Sequence, residues 1–436
     1  MDWVTAAIVI FSLLSILFLI GVPVAFSFLF VNMVFAFVFW GVDGFPQMIL
    51  SIHRSISLFS LVPLPLFILM GQVIFLSEIS RNMMDAMDKW VGRLPGRLSL
   101  MAVAGGVLFA TLSGSSMAST AMLGQTLLPE MEKKGYKAQM TLGPIMGSGC
   151  LAGMMPLSAL AIVLATLAQI SVGDFLLTIV GPGLLMAAIY AVYIIVRATL
   201  QPHLAPPYAV EKVPLGRKLF LALKYIAPPS LIIISVIGII MSGVATPTEA
   251  AAVGSLVCFI LAFIYKGIRP DILKKAVLST LKITVMMFMI LSGATGFSEI
   301  LAYTGATTNL VEMVTHLDLS PMGVLIAMQI ILIVLGTFLE SLAIMMITIP
   351  IYLPIIKTLG FDPYWFCAIF LINMELATIS PPYGLVLFTM KGVAPNHTMN
   401  DIFRASIPFN ILDILALVLV MVFPAIALWL PQLLKH

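Results

Sequence analysis

The chain is 436 residues long, with 61% hydrophobic residues, 9% charged residues and a mean hydropathy of +1.14. A soluble globular domain carries about 25% charged residues, so composition excludes that class, and the net charge of +3 excludes little more. The uncharged runs, such as Leu176 to Val196 and Ile414 to Leu430, have the length of membrane-crossing helices rather than of barrel strands.

Val4 to Ile20 and Val24 to Trp40 read as two spans joined tightly at Gly21-Val22-Pro23. Asp2, with no basic residue, precedes the first run and a second run follows at once, so no cleaved signal peptide is expected. Gly41 to Ser57 is a more polar connection, and Leu58 to Leu76 spans again. After a loop with Arg81, Lys89, Arg93 and Arg97 comes Leu98 to Leu128. At about thirty residues it is long for one span and right for two half-length arms. Its middle holds the small, hydroxylated run T-L-S-G-S-S-M-A-S-T-A-M-L-G (Thr111 to Gly124). Clustered hydroxyls at bilayer depth occur where they line a polar cavity or are buried in protein; close helix packing through small residues is the alternative. The expectation is a re-entrant hairpin, returning at Pro129 into a loop with Lys133, Lys134 and Lys137.

Met140 to Ile170 is interrupted at G-S-G-C-L-A-G-M-M-P (Gly147 to Pro156), where three glycines and a proline weaken a helix, and reads as a broken span. Leu176 to Val196 closes the first half. A linker rich in Pro and charge, Arg197 to Lys224, leads to spans at Pro228 to Met241 and Glu249 to Tyr265, and then to the basic loop Lys266 to Lys275.

The second half repeats the first. A shift of 225 residues places Pro129 on Pro354, Gly135 on Gly360, Tyr136 on Phe361 and Pro156 on Pro381. Under it the S-G-S-S run falls on Phe338 to Ser341, and the first break falls on M-E-L-A-T-I-S-P (Met374 to Pro381). The expected organisation is therefore 1–57 as N-terminal scaffold and 58–200 as a first repeat, with hairpin 98–128 and broken helix 140–170. Residues 201–279 form a linker, two scaffold helices and a basic loop, and 280–436 a second repeat with hairpin 321–353 and broken helix 364–392. If both hairpins are re-entrant, one face holds 18 of the 22 Lys and Arg. The other holds Arg54, Lys357 and Lys435, with Lys282 at a span entrance. The basic face is expected to be cytoplasmic. Loops flanking the first hairpin carry seven basic residues and those flanking the second only Lys357, so the copies are expected to be inverted. The fold class is an all-α polytopic membrane protein of two inverted-topology repeats, each with a re-entrant hairpin and a broken helix, an arrangement used by secondary transporters.

Chemistry narrows the function further. No Gly-Lys pair occurs, so a Walker-type motor is not expected. His53, His203, His316, His397 and His436 are isolated, and no H-E-x-x-H or G-x-S-x-G appears, which argues against an intramembrane hydrolase. Cys150, Cys258 and Cys367 are scattered and suggest neither a disulfide framework nor a metal site. Glu249, Glu299, Glu340 and Glu375 lie within or at the edge of apolar runs; such acids are either functional or held neutral in packing. With no Lys or Arg at the expected midplane, an anion there would be held by half-helix N-termini, hydroxyls and bound cations. Unwound carbonyls with Ser and Thr oxygens suit sodium better than a softer metal.

The run L-S-G-S-S-M-A-S-T-A with L-P-E-M and K-K-G-Y, and G-T-F-L-E-S followed by I-P-I-Y-L-P-I-I-K-T-L-G-F-D-P-Y-W-F and I-N-M-E-L-A-T-I-S-P-P-Y-G-L-V-L-F, resembles the large membrane subunit of tripartite ATP-independent periplasmic (TRAP) transporters over essentially the whole chain. The resemblance implies a multi-pass protein of the bacterial inner membrane that imports a small organic anion, a carboxylate or a sulfonate, by an elevator movement coupled to Na+, with at least two ions. Its implied partners are a small four-helix membrane subunit, a periplasmic substrate-binding protein and the lipid bilayer, with no nucleic acid. The implied sodium positions are Ser113, Gly114, Ser116, Gly149, Gly153 and Pro156 in the first copy, and Gly336, Thr337, Thr378 and Pro381 in the second. The expected substrate contacts are Ser115, Ser116, Ser119, Ser158, Glu340, Ser341, Ser380 and Pro382. The family commonly has an acid where Ser119 stands, and Pro-Pro-Ser where this chain has Met155 to Ser158.

Overall fold

The computed structural model describes every residue except 1, 78, 93, 209–212, 267–269, 317–318 and 435–436. Arg93, Lys212, Arg269 and Lys435, which enter the charge argument, therefore lie outside the described residues. Those described form helices and connections, with no strand among them. Among the described residues, eight helical segments are long and apolar enough to cross a membrane: Val24–Ile56, Phe59–Leu76, Val172–Leu200, Leu215–Met241, Pro247–Tyr265, Pro270–Tyr303, Ser341–Thr358 and Met399–Val422. The outward faces of several carry exposed Leu, Ile, Val and Phe, for example Phe263, Ile264 and Ile411. Lipid is the solvent that accepts such a surface.

The expected first hairpin consists of Arg97–Ser113 and Ser116–Lys133, with only Gly114 and Ser115 between them. Gly114 has φ 57, a left-handed conformation open to glycine at no steric cost, and this reverses the chain. The arms run back along one another: a Cβ on Gly105 would meet Leu123 Cδ2 at 3.3 Å. The second hairpin, Pro321–Gly336 and Ser341–Thr358, turns over Thr337 to Glu340, and Tyr352 Oη reaches Met328 O across it at 3.5 Å. In both, the returning arm stays helical through its prolines, Pro129 in the first and Pro350 and Pro354 in the second. Pro129 therefore does not end the hairpin. A proline removes one backbone donor from the ladder, and here the helix runs on around it.

The 225-residue shift also relates the elements themselves. Ser116 and Ser341 begin the returning arms, Lys133 and Thr358 end them, and Ala138 and Pro363 begin the broken helices. The first broken helix runs Ala138–Cys150, continues as a 3₁₀ turn Leu151–Gly153, and resumes at Ala159–Leu167. The second runs Pro363–Ile379 and resumes at Leu385–Val393. They lie antiparallel. Tyr364, at the start of the second, accepts from Ser171 N beyond the end of the first at 3.3 Å. His397, beyond the end of the second, is 2.8 Å from Glu132, just ahead of the start of the first.

The glycines of the first break act differently from their expected role. The helix continues through Gly147 and Gly149, where the missing side chains admit neighbours: a Cβ would stand 2.3 Å from Phe409 Cδ1 at Gly147 and 1.9 Å from Thr120 Oγ1 at Gly149. The helix gives way only at Leu151 to Ser158. There the buried Leu157 takes φ 90, a conformation that costs a bulky residue about 1–3 kcal/mol.

Candidate functional site

Each hairpin tip sits against the broken helix of its own copy. A Cβ on Gly114 would lie 2.7 Å from Leu157 O and 3.5 Å from Ser158 Cα, so the first tip rests on the first break. In the second copy a Cβ on Gly336 would meet Ala377 Cβ at 2.6 Å. Ser341 donates to Met374 O at 3.0 Å, and the Phe338 and Tyr383 rings lie 6.4 Å apart. Pro156 is buried in the first break; Pro381 and Pro382, joined by a cis bond, lie in the second.

The two copies meet at the breaks. Ser116 Oγ donates to Glu375 Oε2 at 2.8 Å, and Cys150 Sγ is 3.2 Å from Thr378 Oγ1. A Cβ on Gly153 would overlap Glu375 Oε1 at 1.6 Å. The first returning arm therefore packs antiparallel on the first broken helix, Thr120 facing Gly149 and Ser116 facing Gly153, with the Glu375 carboxylate inserted from the second copy. Glu375 is completely buried.

The hydroxyls of the first tip divide their work. Ser113 and Ser119 bond one another at 2.7 Å, and Ser115 caps the returning arm by accepting from Ala118 N at 3.4 Å. Ser158 caps the resumed helix by accepting from Ala161 N at 3.2 Å. Thr337, Thr378 and Ser380 donate to the carbonyls of Val334, Glu375 and Leu376 at 2.7, 2.7 and 2.8 Å. A hydroxyl that donates its proton to a carbonyl keeps oxygen lone pairs for a further partner. Each break also ends one helix and begins another. Helix C-terminal carbonyls favour a cation there and helix N-termini an anion.

Glu340 faces elsewhere. It lines a cavity of about 750 Å³ between the second tip and two other parts of the chain, the Gly21-Val22-Pro23 turn and the helix Pro270–Tyr303. Lys282 lines the same cavity, and no ion pair joins it to Glu340. Sequence reading puts Lys282 at a span entrance. The helix begins at Pro270, so Lys282 stands exposed about three turns along it, the one basic residue lining this cavity. Glu249 is a cap: its carboxylate accepts from Thr246 N at 2.8 Å and from Thr246 Oγ1 at 2.9 Å. Sequence reasoning missed Asp413, which is completely buried and accepts from Tyr190 Oη. The signal was available, because Asp413 is an acid inside an apolar run of the same kind as Glu375. Cys150, read as scattered core, proves to touch Thr378, a contact that no local pattern announces.

Comparison with known proteins agrees with this architecture. Residues 11–426 match the family model described as the tripartite ATP-independent periplasmic transporter, DctM component. The chain is 32% identical over 393 residues, 89% of its length and 90% of the relative's, to the C4-dicarboxylate TRAP transporter large permease protein of Pseudomonas aeruginosa. It is 28% identical to the sialic acid TRAP transporter large permease protein of Vibrio cholerae, with 97% and 98% of the two chains covered. Among solved structures, the Alcanivorax borkumensis YdaH transporter shares the fold at a TM-score of 0.62 and 15% identity, with 89% and 90% of the chains covered. With half-helices, hydroxyls and a buried carboxylate converging as they do, this chain belongs to the TRAP transporter family as its DctM, or large permease, component.

Proposed function

We propose that the chain is the permease of a sodium-coupled importer of a small organic anion, in the inner membrane, working by an elevator movement of the hairpins and broken helices against the remaining helices. The observation that carries this reading is the meeting of two hairpin tips and two breaks, whose carbonyls and hydroxyl lone pairs are hard oxygen donors suited to an alkali cation. Ser113, Gly114, Ser116, Gly149, Gly153 and Pro156 would hold one sodium ion. Gly336, Thr337, Thr378 and Pro381 would hold another. The bound ions and the helix N-termini beginning at Ser116, Ala159, Ser341 and Leu385 would then favour a carboxylate. Antiparallel broken helices are what two copies of opposite membrane orientation require.

The cavity shared by Lys282 and Glu340 supplies a route for the cargo, because its one basic side chain attracts an anion toward the second tip. Its volume is within the range of small-molecule sites. The family's description as tripartite and periplasmic supports two partners, a small four-helix membrane subunit and a periplasmic binding protein. A C4-dicarboxylate is the first cargo to test, as the relative at 32% identity is named for it.

The test is uptake into liposomes containing the chain with its partner subunit, with and without the binding protein. Labelled dicarboxylate should accumulate under an inward sodium gradient and only with the binding protein present. Unchanged uptake with choline in place of sodium would overturn the coupling. Equal uptake without the binding protein would make the chain an autonomous symporter, and turnover of the compound without accumulation would make it an enzyme.

A further inference from the structure

We infer that Glu375 is a direct ligand of the cation held at the first hairpin tip, so that a carboxylate from the second copy completes the site of the first. This rests on the sodium coupling proposed above and adds a residue to it. Glu375 belongs to the second broken helix, yet its side chain lies among first-copy groups. Ser116 Oγ is bonded to Oε2 at 2.8 Å, and the backbone of the 3₁₀ turn at Gly153 is so close that no Cβ would fit there. Its other oxygen, Oε1, is buried with no hydrogen-bond partner.

A carboxylate taken out of water needs a compensating positive charge or several donors. Glu375 receives one side-chain hydrogen bond, and no lysine or arginine pairs with it among the described residues. Among the described residues, the ionisable groups that interact electrostatically with it are Cys150 on the first broken helix, and Asp413 on Met399–Val422 with its donor Tyr190. None is a fixed cation. One further oxygen of the same arm, Thr120 Oγ1, is also buried without a partner. Thr120 lies one turn along the arm from Ser116 and faces Gly149, one turn before Gly153. A buried carboxylate oxygen without a partner, with an unpartnered hydroxyl one turn along the same arm as its Ser116 donor, leaves hard donors that a small cation completes.

The site has a consequence for coupling. One of its ligands stands on the helix that also carries Thr378, so filling it ties the two broken helices together. Cys150 and Thr378, 3.2 Å apart, mark the same junction.

The test is sodium binding by the purified full-length chain, read with radiolabelled sodium and, separately, as thermal stabilisation on replacing choline chloride by sodium chloride at constant ionic strength. Glu375→Gln keeps the shape and an oxygen that can accept from Ser116 but removes the charge. It should melt in choline like the parent chain, while the sodium concentration for half-saturation rises by about tenfold or more. Glu375→Asp keeps the charge but withdraws it by one methylene, and should also raise half-saturation, which covers the case in which Glu375→Gln does not fold. A parent-like half-saturation, within about twofold, in either folded variant would overturn the inference while leaving sodium coupling intact. If the unaltered chain binds no sodium, the sodium reading itself fails, and this inference fails with it.

Discussion

Replacing Gly153 by alanine is the sharpest single perturbation of the junction. The added Cβ would stand 1.6 Å from Glu375 Oε1, 2.3 Å from Cδ and 2.9 Å from Cγ, where a comfortable contact is about 3.5 Å. The carboxylate must therefore retreat by about 2 Å, and in a packed interior overfilling costs about 1–3 kcal/mol. Retreat also breaks the 2.8 Å bond from Ser116, worth about 1.5–3 kcal/mol for a charged acceptor. The sum, about 2.5–6 kcal/mol, should lower the melting temperature of the chain by about 3 °C or more. Cys150, Cys258 and Cys367 are free and buried, so a thiol-reactive fluorophore reports unfolding without further labelling. Gly392 is the control. It lies in the helix Leu385–Val393 with nothing within 4 Å of its Cβ position, and alanine is the better helix former by about 1 kcal/mol, so Gly392→Ala should melt at or above the parent temperature. A Gly153→Ala variant that melts with the parent chain, or a Gly392→Ala variant that falls as far, would refute the reasoning.

Other expectations can be checked independently. Lys282→Gln should raise the KM for anion uptake by about tenfold with little change in maximal rate, and an unchanged KM would remove the cavity from the cargo route. Cysteines at Lys133 and Asp362, both exposed, should react only from the cytoplasm and only from the periplasm respectively, as the charge asymmetry requires; labelling from one face would end the inverted-repeat reading. The Tyr208 ring lies under Lys134 Nζ, at 4.6 Å, while its hydroxyl is buried without a partner. Tyr208→Phe should therefore leave the melting temperature unchanged or raised, since it removes an unpaired polar group, whereas Tyr208→Ala should lower it. Burial pushes the same hydroxyl up to about 12, so in the parent chain it should show no phenolate absorbance change below about pH 11.

Composition decided that the chain is a membrane protein, and the length of its uncharged runs that it is helical, because lipid admits only backbones that satisfy themselves and barrel strands are shorter. The positions of Pro and Gly under a 225-residue shift decided that it carries two copies of one hairpin and one broken helix, since these residues act on the backbone wherever they stand. Tertiary structure decided the rest. Gly147 and Gly149 look like helix breakers in sequence but are contact points for Phe409 and Thr120, because a missing side chain serves close approach as readily as it serves a bend. Glu340 and Glu375 look alike as acids in apolar runs, yet one lines an open cavity with Lys282 and the other is sealed between the copies. The contact between Ser116 and Glu375 spans 259 positions of sequence. No periodicity or motif encodes such a pairing; it arises only when two separately formed units pack face to face.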